Sequence, residues 1–213
     1  PMQNLPSFTL GLNNYNRDND VAENTSSLAV PEDNNTNTIN FSTSYSFLFR
    51  NLNNRLTLNL LNYDRQDNIS TGVDNLANTA SLILQTRYNI PLKTNLEFNF
   101  QQNENKLQTT ESDFSVSSFG GGAEYSFNQL FNRMDELTLS VNGRYGLVDT
   151  EQRFDPTPAL NSKTDFNRTF LNGRLIYAYP PYGRLSVNGD LITYSGDRDF
   201  QDYIITARYD VSF

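Results

Sequence analysis

The stretch from Gln201 to Phe213, QDYIITARYDVSF, constrains this chain more than any other. Tyr203, Ile205, Ala207, Tyr209, Val211 and Phe213 fall on one side of a period-two pattern. Asp202, Thr206, Arg208, Asp210 and Ser212 fall on the other, with Ile204 the one apolar exception. Alternation this strict describes a β-strand with one dry face and one wet face. At ~3.3 Å per residue and a tilt of about 40°, eleven such residues rise ~28 Å, enough to cross the hydrocarbon of a bilayer.

Nine earlier segments carry related signals, predicting strands over Ser7–Tyr15, Asn37–Arg50, Arg55–Tyr63, Asn78–Ile90, Asn95–Lys106, Phe114–Asn128, Glu136–Leu147, Asn167–Tyr179 and Arg184–Tyr194. The second is the cleanest, setting Ile39, Phe41, Tyr45, Phe47 and Phe49 against Asn40, Ser42, Ser44 and Ser46. In the sixth, Gly120-Gly121-Gly122 marks a bend or bulge. Connections are expected to alternate. Asn51–Asn54, Pro91–Thr94, Gln129–Asp135 and Pro180–Gly183 are short; Asp18–Thr36, Asp64–Ala77, Leu107–Asp113, Val148–Phe166 and Gly196–Gln201 are mostly longer and polar. The apolar-face positions of the cleanest strands carry no charge, and the opposite face is mainly Ser, Asn, Gly and Thr with no Lys. A water-facing exterior would carry many Lys and Glu.

Aromatic residues gather near the strand ends. Phe49, Tyr88, Phe98, Tyr125, Phe127, Tyr177, Tyr179, Tyr209 and Phe213 lie towards the short turns; Phe41, Phe114, Tyr145, Tyr194 and Tyr203 lie towards the long loops. Two belts suit rings that prefer the headgroup level of a membrane. The sequence Leu-x-Leu-x-Asn-Tyr-x-Arg occurs at Leu10–Arg17 and again at Leu58–Arg65, with Tyr15 and Tyr63 out of phase with the leucines, so that either a bulge intervenes or Tyr turns to the other face.

The terminal strand YIITARYDVSF, with alternating apolar residues leading to a final Phe, resembles the C-terminal strand of bacterial outer-membrane β-barrel proteins. The resemblance is at the level of the class. It implies an assembly signal at Tyr209, Val211 and Phe213, read by the barrel assembly machinery, and outer-membrane lipid as the surroundings. The fold expected is all-β: an antiparallel up-and-down transmembrane barrel of about ten strands, with short periplasmic turns and long extracellular loops. Residues 1–213 form one barrel domain, or the C-terminal part of a larger barrel.

Composition closes off several functions. No apolar run reaches the ~18 residues of a membrane helix. Cysteine is absent, which excludes disulfides and thiolate metal sites, and histidine is absent, which excludes Ser-His-Asp chemistry and imidazole bases. A net charge of −8 argues against a nucleic-acid partner. No cofactor is implied.

The remaining chemistry lies in charges that strand parity points inward: Arg87, Arg144, Arg174 and Arg208 with Glu97, Glu124, Asp190 and Asp210. Four cations against four anions read as a paired network filling the lumen, with Asp190 bridging Arg174 and Arg208. A carboxylate pair formed by Glu97 and Glu124 has no spacing to support hydrolysis over salt bridging. Asp18 and Asp20, in an acidic Asn-rich loop, are calcium candidates without the spacing of an EF-hand. Function is accordingly read as non-enzymatic: a small passive channel, or a structural subunit of an envelope complex. The alternative is a secreted β-sandwich adhesin or carbohydrate-binding module.

Overall fold

The computed structural model describes residues 5–17, 34–67, 74–107, 109–155, 157–180, 182–197 and 199–211. Ten strands follow one another: β1 Ser7–Arg17, β2 Asn34–Phe49, β3 Leu52–Asp67, β4 Asp74–Arg87, β5 Leu92–Leu107, β6 Thr110–Asn128, β7 Glu136–Phe154, β8 Ser162–Tyr179, β9 Gly183–Gly196 and β10 Phe200–Asp210. They form one antiparallel sheet whose spatial order is the chain order. A 3₁₀ turn at Pro158–Leu160 precedes β8, and no α-helix occurs among the described residues.

All nine ladders run in unbroken one-to-one register. Parity therefore assigns every strand residue to one of two faces for the whole sheet. Gly120, Gly121 and Gly122 stand opposite Arg144, Gly143 and Asn142 without a skip, so the expected bulge is absent. Tyr15 and Tyr63 lie opposite Thr36 and Thr38, again without a skip, so both turn to the polar face.

One face is apolar through most of its height. On β7 it carries Leu137, Leu139, Val141, Gly143, Tyr145 and Leu147 before it meets Asp149. On β8 it carries Tyr179, Tyr177, Leu175, Gly173, Leu171 and Thr169 before Asn167 and Asp165. Nothing covers this face among the described residues, where each strand packs only on its sequence neighbours. Val148, at 8% exposure, is the one buried hydrophobic side chain among the described residues, while Phe8 is 65% and Ile205 75% exposed. The chain exposes 15048 Å², about half as much again as the ~10,000 Å² of a compact soluble protein this size. A β-sandwich would bury the apolar face against a second sheet; among the described residues the strands form one layer with no second sheet opposite it.

The ten-strand antiparallel arrangement is as expected. Closure is not seen: β1 and β10 do not pair with each other among the described residues. Both are exposed along most of their length. The strands also outrun their predicted limits on one side. β6 begins at Thr110, β7 continues to Phe154 and β8 begins at Ser162, so most of the expected loops Leu107–Asp113 and Val148–Phe166 are strand. Hydrophobic alternation stops where the apolar band stops, whereas the backbone ladder continues on cross-strand ion pairs: Lys106 with Glu111 at 3.2 Å and Lys163 with Asp149 at 3.3 Å.

The expected sorting of loop lengths is correspondingly weaker. Connections 50–51, 88–91, 129–135 and 180–182 lie at one end, and 18–33, 68–73, 108–109, 155–161 and 197–199 at the other. The β2–β3 turn is the two residues Arg50-Asn51, with φ of 50° and 61°, the left-handed pair that matches strand twist. The predicted turn Asn51–Asn54 is thus displaced, and Asn53 and Asn54 belong to β3.

The polar face as candidate functional site

Register places all eight predicted inward charges on the polar face, in rows that run across the strands. One row, towards the short-turn end, reads Arg87, Lys93, Glu124, Ser140, Arg174 from β4 to β8. The next reads Gln85, Asn95, Gly122, Asn142, Asn172, and continues to Asp190 on β9. A third reads Ile83, Glu97, Gly120, Arg144, Phe170. Arg87, Arg174 and Asn172 all line one cleft of about 380 Å³, together with Lys93, Asn95 and Asn142. Strands β4 and β8 are four spacings apart, ~19 Å along a flat sheet, so a shared cleft requires the polar face to be concave.

The pairing differs from the network expected. Asp190 accepts a hydrogen bond from Asn172 Nδ2 at 2.6 Å and bridges neither Arg174 nor Arg208. The register explains this: Arg174 stands opposite Asn188 and Arg208 opposite Ser186, two and four residues along β9 from the height of Asp190. Arg208 instead pairs with Asp210 on its own strand, Nε to Oδ1 at 2.8 Å. Glu124 pairs with Lys93 at 2.7 Å, and Glu97 with Arg144. The two glutamates are therefore engaged separately and form no carboxylate pair. Arg144 reaches Glu97 from two strands away because Gly120 lies between them; a Cβ there would stand 3.1 Å from Glu97 Oε1 and 3.3 Å from Arg144 Cβ. The glycine run is thus a slot for long side chains.

Six cations of this face went unassigned in the sequence reading: Arg17, Arg55, Arg65, Lys93, Arg168 and Arg184. Lys93 corrects the expectation of a lysine-free face, and its parity with Asn95 and Glu97 was the available signal. An aromatic patch was also missed. Phe114, Phe166, Phe170 and Tyr194 line a second cleft, of about 610 Å³, near the far end of the polar face. Tyr194 stacks on Phe200 with ring centroids 4.2 Å apart, and the Arg168 guanidinium sits 5.6 Å from its ring centre. Phe114 and Tyr194 therefore leave the upper aromatic belt to which they were assigned.

The apolar face has its own charges, confined to the loop-ward strand ends. Arg153 contacts Glu151 at 2.8 Å, Glu111 at 3.6 Å and Asp113 at 4.0 Å, and Lys163 lies 3.8 Å from Asp165. At the opposite end, the Gln129–Asp135 turn is organised by Asp135, only 3% exposed. Its Oδ2 accepts from Phe131 N at 2.9 Å, Asn132 N at 3.0 Å and Tyr177 Oη at 3.0 Å. Burial alone would raise this carboxyl's pKa, but the hydrogen bonds from Phe131, Tyr177 and Asn132 outweigh it and hold the group below its ordinary value.

Of the predicted assembly signal, Tyr209 donates from its hydroxyl to the Tyr182 carbonyl at 2.7 Å, tying β10 to the β8–β9 turn. Val211 is half-exposed, and Phe213 lies outside the described residues. The calcium candidates Asp18 and Asp20 also lie outside them. The chain matches no protein-family model, and no curated protein or solved structure is detectably similar to it.

Proposed function

We propose that this chain is a non-enzymatic β-barrel of the bacterial outer membrane that acts as a small passive channel. The observation that carries the reading is the apolar band, which crosses all ten strands without a charge and has no protein layer over it. On β7 the band spans Leu137 to Leu147, ~33 Å of strand and ~25 Å of height at a tilt of about 40°, the thickness of outer-membrane hydrocarbon. In lipid the free N–H and C=O groups along the β1 and β10 edges must be paired, so the working state is a closed sheet. Closure comes from β1 meeting β10 or from strands beyond them. Its concave polar face becomes the lumen, and the apolar face meets lipid. Tyr209, Val211 and Phe213 then serve as the signal read by the assembly machinery.

The test is behaviour in detergent. The protein is expected to need detergent to stay monodisperse, and its folded form should migrate differently from the boiled form on a gel. A monodisperse protein in plain buffer, with no heat-modifiable band, would refute the membrane reading. On intact cells, cysteines placed at Asn34 and Ser162 should react with an impermeant thiol reagent, and one at Tyr182 should not.

A further inference from the structure

The two faces of the sheet carry opposite net charge. Among the described side chains the polar face holds ten Lys and Arg against six Asp and Glu. The apolar face holds three basic residues (Lys106, Arg153, Lys163) against eight acidic ones, all at its loop-ward ends. The differences are 10 − 6 = +4 and 3 − 8 = −5, so a chain of net charge −8 turns a basic surface inward. We infer that the lumen selects small anions, which are drawn through the cleft formed by Arg87, Lys93 and Arg174. This inference rests on the channel reading above.

Three features of the cleft support it. Arg87 and Lys93 stand directly opposite each other on β4 and β5, an arrangement in which like charges repel. The one carboxylate nearby, Glu124, is taken by Lys93 at 2.7 Å, so Arg87 and Arg174 make no ion pair with any described residue. The remaining polar lining is neutral: amides from Gln85, Asn95, Asn142 and Asn172 and hydroxyls from Thr86, Thr94 and Ser140, which can donate to a carboxylate, phosphate or chloride but bring no negative charge. Guanidinium and amide donors around an uncompensated cavity attract a partly dehydrated anion and repel a cation. A concave wall of one sign also concentrates the counter-ion at its mouth.

The experiment is the reversal potential of the full-length protein in planar bilayers under a potassium chloride gradient, repeated with potassium phosphate. Chloride should be favoured over potassium by ~3-fold or more, with phosphate also permeant. Arg87→Glu with Arg174→Glu should bring the ratio to one or below while the heat-modifiable band persists; Arg87→Gln with Arg174→Gln should give an intermediate ratio. Lys106→Gln, on the other face, should leave the ratio unchanged. A parent that conducts without preference, or prefers potassium, overturns the inference and leaves the channel standing. A folded parent that inserts and never conducts overturns both. Because the parent's ratio is itself decisive, the inference stays exposed even if neither double variant folds.

Discussion

The two faces of this sheet share every backbone hydrogen bond, yet their side chains follow different rules. On the apolar face, charge is absent through the band and appears abruptly at Asp149, Glu151 and Arg153 on β7 and at Asp165 and Lys163 on β8. On the polar face, charge is spread along the full height, from Arg87 and Lys93 at one end to Arg168 near the other. On the membrane reading proposed above, a boundary that abrupt on one face alone marks a change of surroundings along the strand, since the backbone does not change there. The comparison teaches that side-chain polarity is layered along the height of one face and mixed along the whole height of the other.

A charge placed inside the band should break the comparison most severely. Val141 lies mid-band on β7, half-exposed. Val141→Arg should cost ~2–4 kcal/mol in a bilayer, and so remove most of the heat-modifiable form. The same change at Ser140, one residue along and on the polar face, should be tolerated. Equal folding of the two variants would erase the distinction between the faces.

The second test concerns the short-turn end. The Asp135 carboxyl is held below its ordinary pKa by its hydrogen bonds, so its stabilisation is fully present above the ordinary carboxylate range. It is lost as pH falls through the lower native value. The difference in unfolding midpoint between the parent and Asp135→Asn should therefore be constant near neutrality and shrink in acid. A difference that grows on acidification would contradict the assignment.

The smallest effects are expected from single ion pairs. Glu97 is the more enclosed partner of Arg144, with 18% of its side chain exposed against 52%. Glu97→Gln should cost up to about 1 kcal/mol, or ~2–4 °C in melting temperature. Glu111→Gln, in the more exposed cluster around Arg153, should cost less, within ~0.5 kcal/mol, and vanish in high salt. A larger loss at Glu111 than at Glu97 would show that the loop-ward cluster, rather than the polar face, secures the strands.

How much of this was legible in the sequence follows from what alternation reports. Face assignment was readable wherever one face is dry, which is why Tyr203, Ile205, Ala207 and Tyr209 were placed together correctly. Strand ends were not readable, because beyond Leu147 and Thr169 charges move onto the face that was apolar while Val148 and Phe166 fall on the other, so alternation no longer keeps one phase although the ladder continues. The inward charges were found by parity, but their partners were not. Asp190 and Arg174 were matched by distance from the turn, whereas register sets Asp190 level with Asn172. The aromatic patch escaped for the same reason as the strand ends: Phe114 lay at a predicted strand start and Phe166 in a predicted loop. The role of the Gly120–Gly122 run was invisible, since a slot between Glu97 and Arg144 exists only once β5, β6 and β7 are side by side.

The unbroken register has a consequence for how such a chain can change in length. One residue inserted into the middle of β5 would exchange the sides of everything beyond it, sending Glu97 outward and Phe98 inward along with their neighbours. Two residues would restore the sides but set Arg144 and Glu97 at different heights. With no bulge to absorb an odd residue, single insertions and deletions are confined to the connections. The strands can then grow in number only by whole hairpins, the smallest unit that returns the chain to the same end of the sheet with its sides intact.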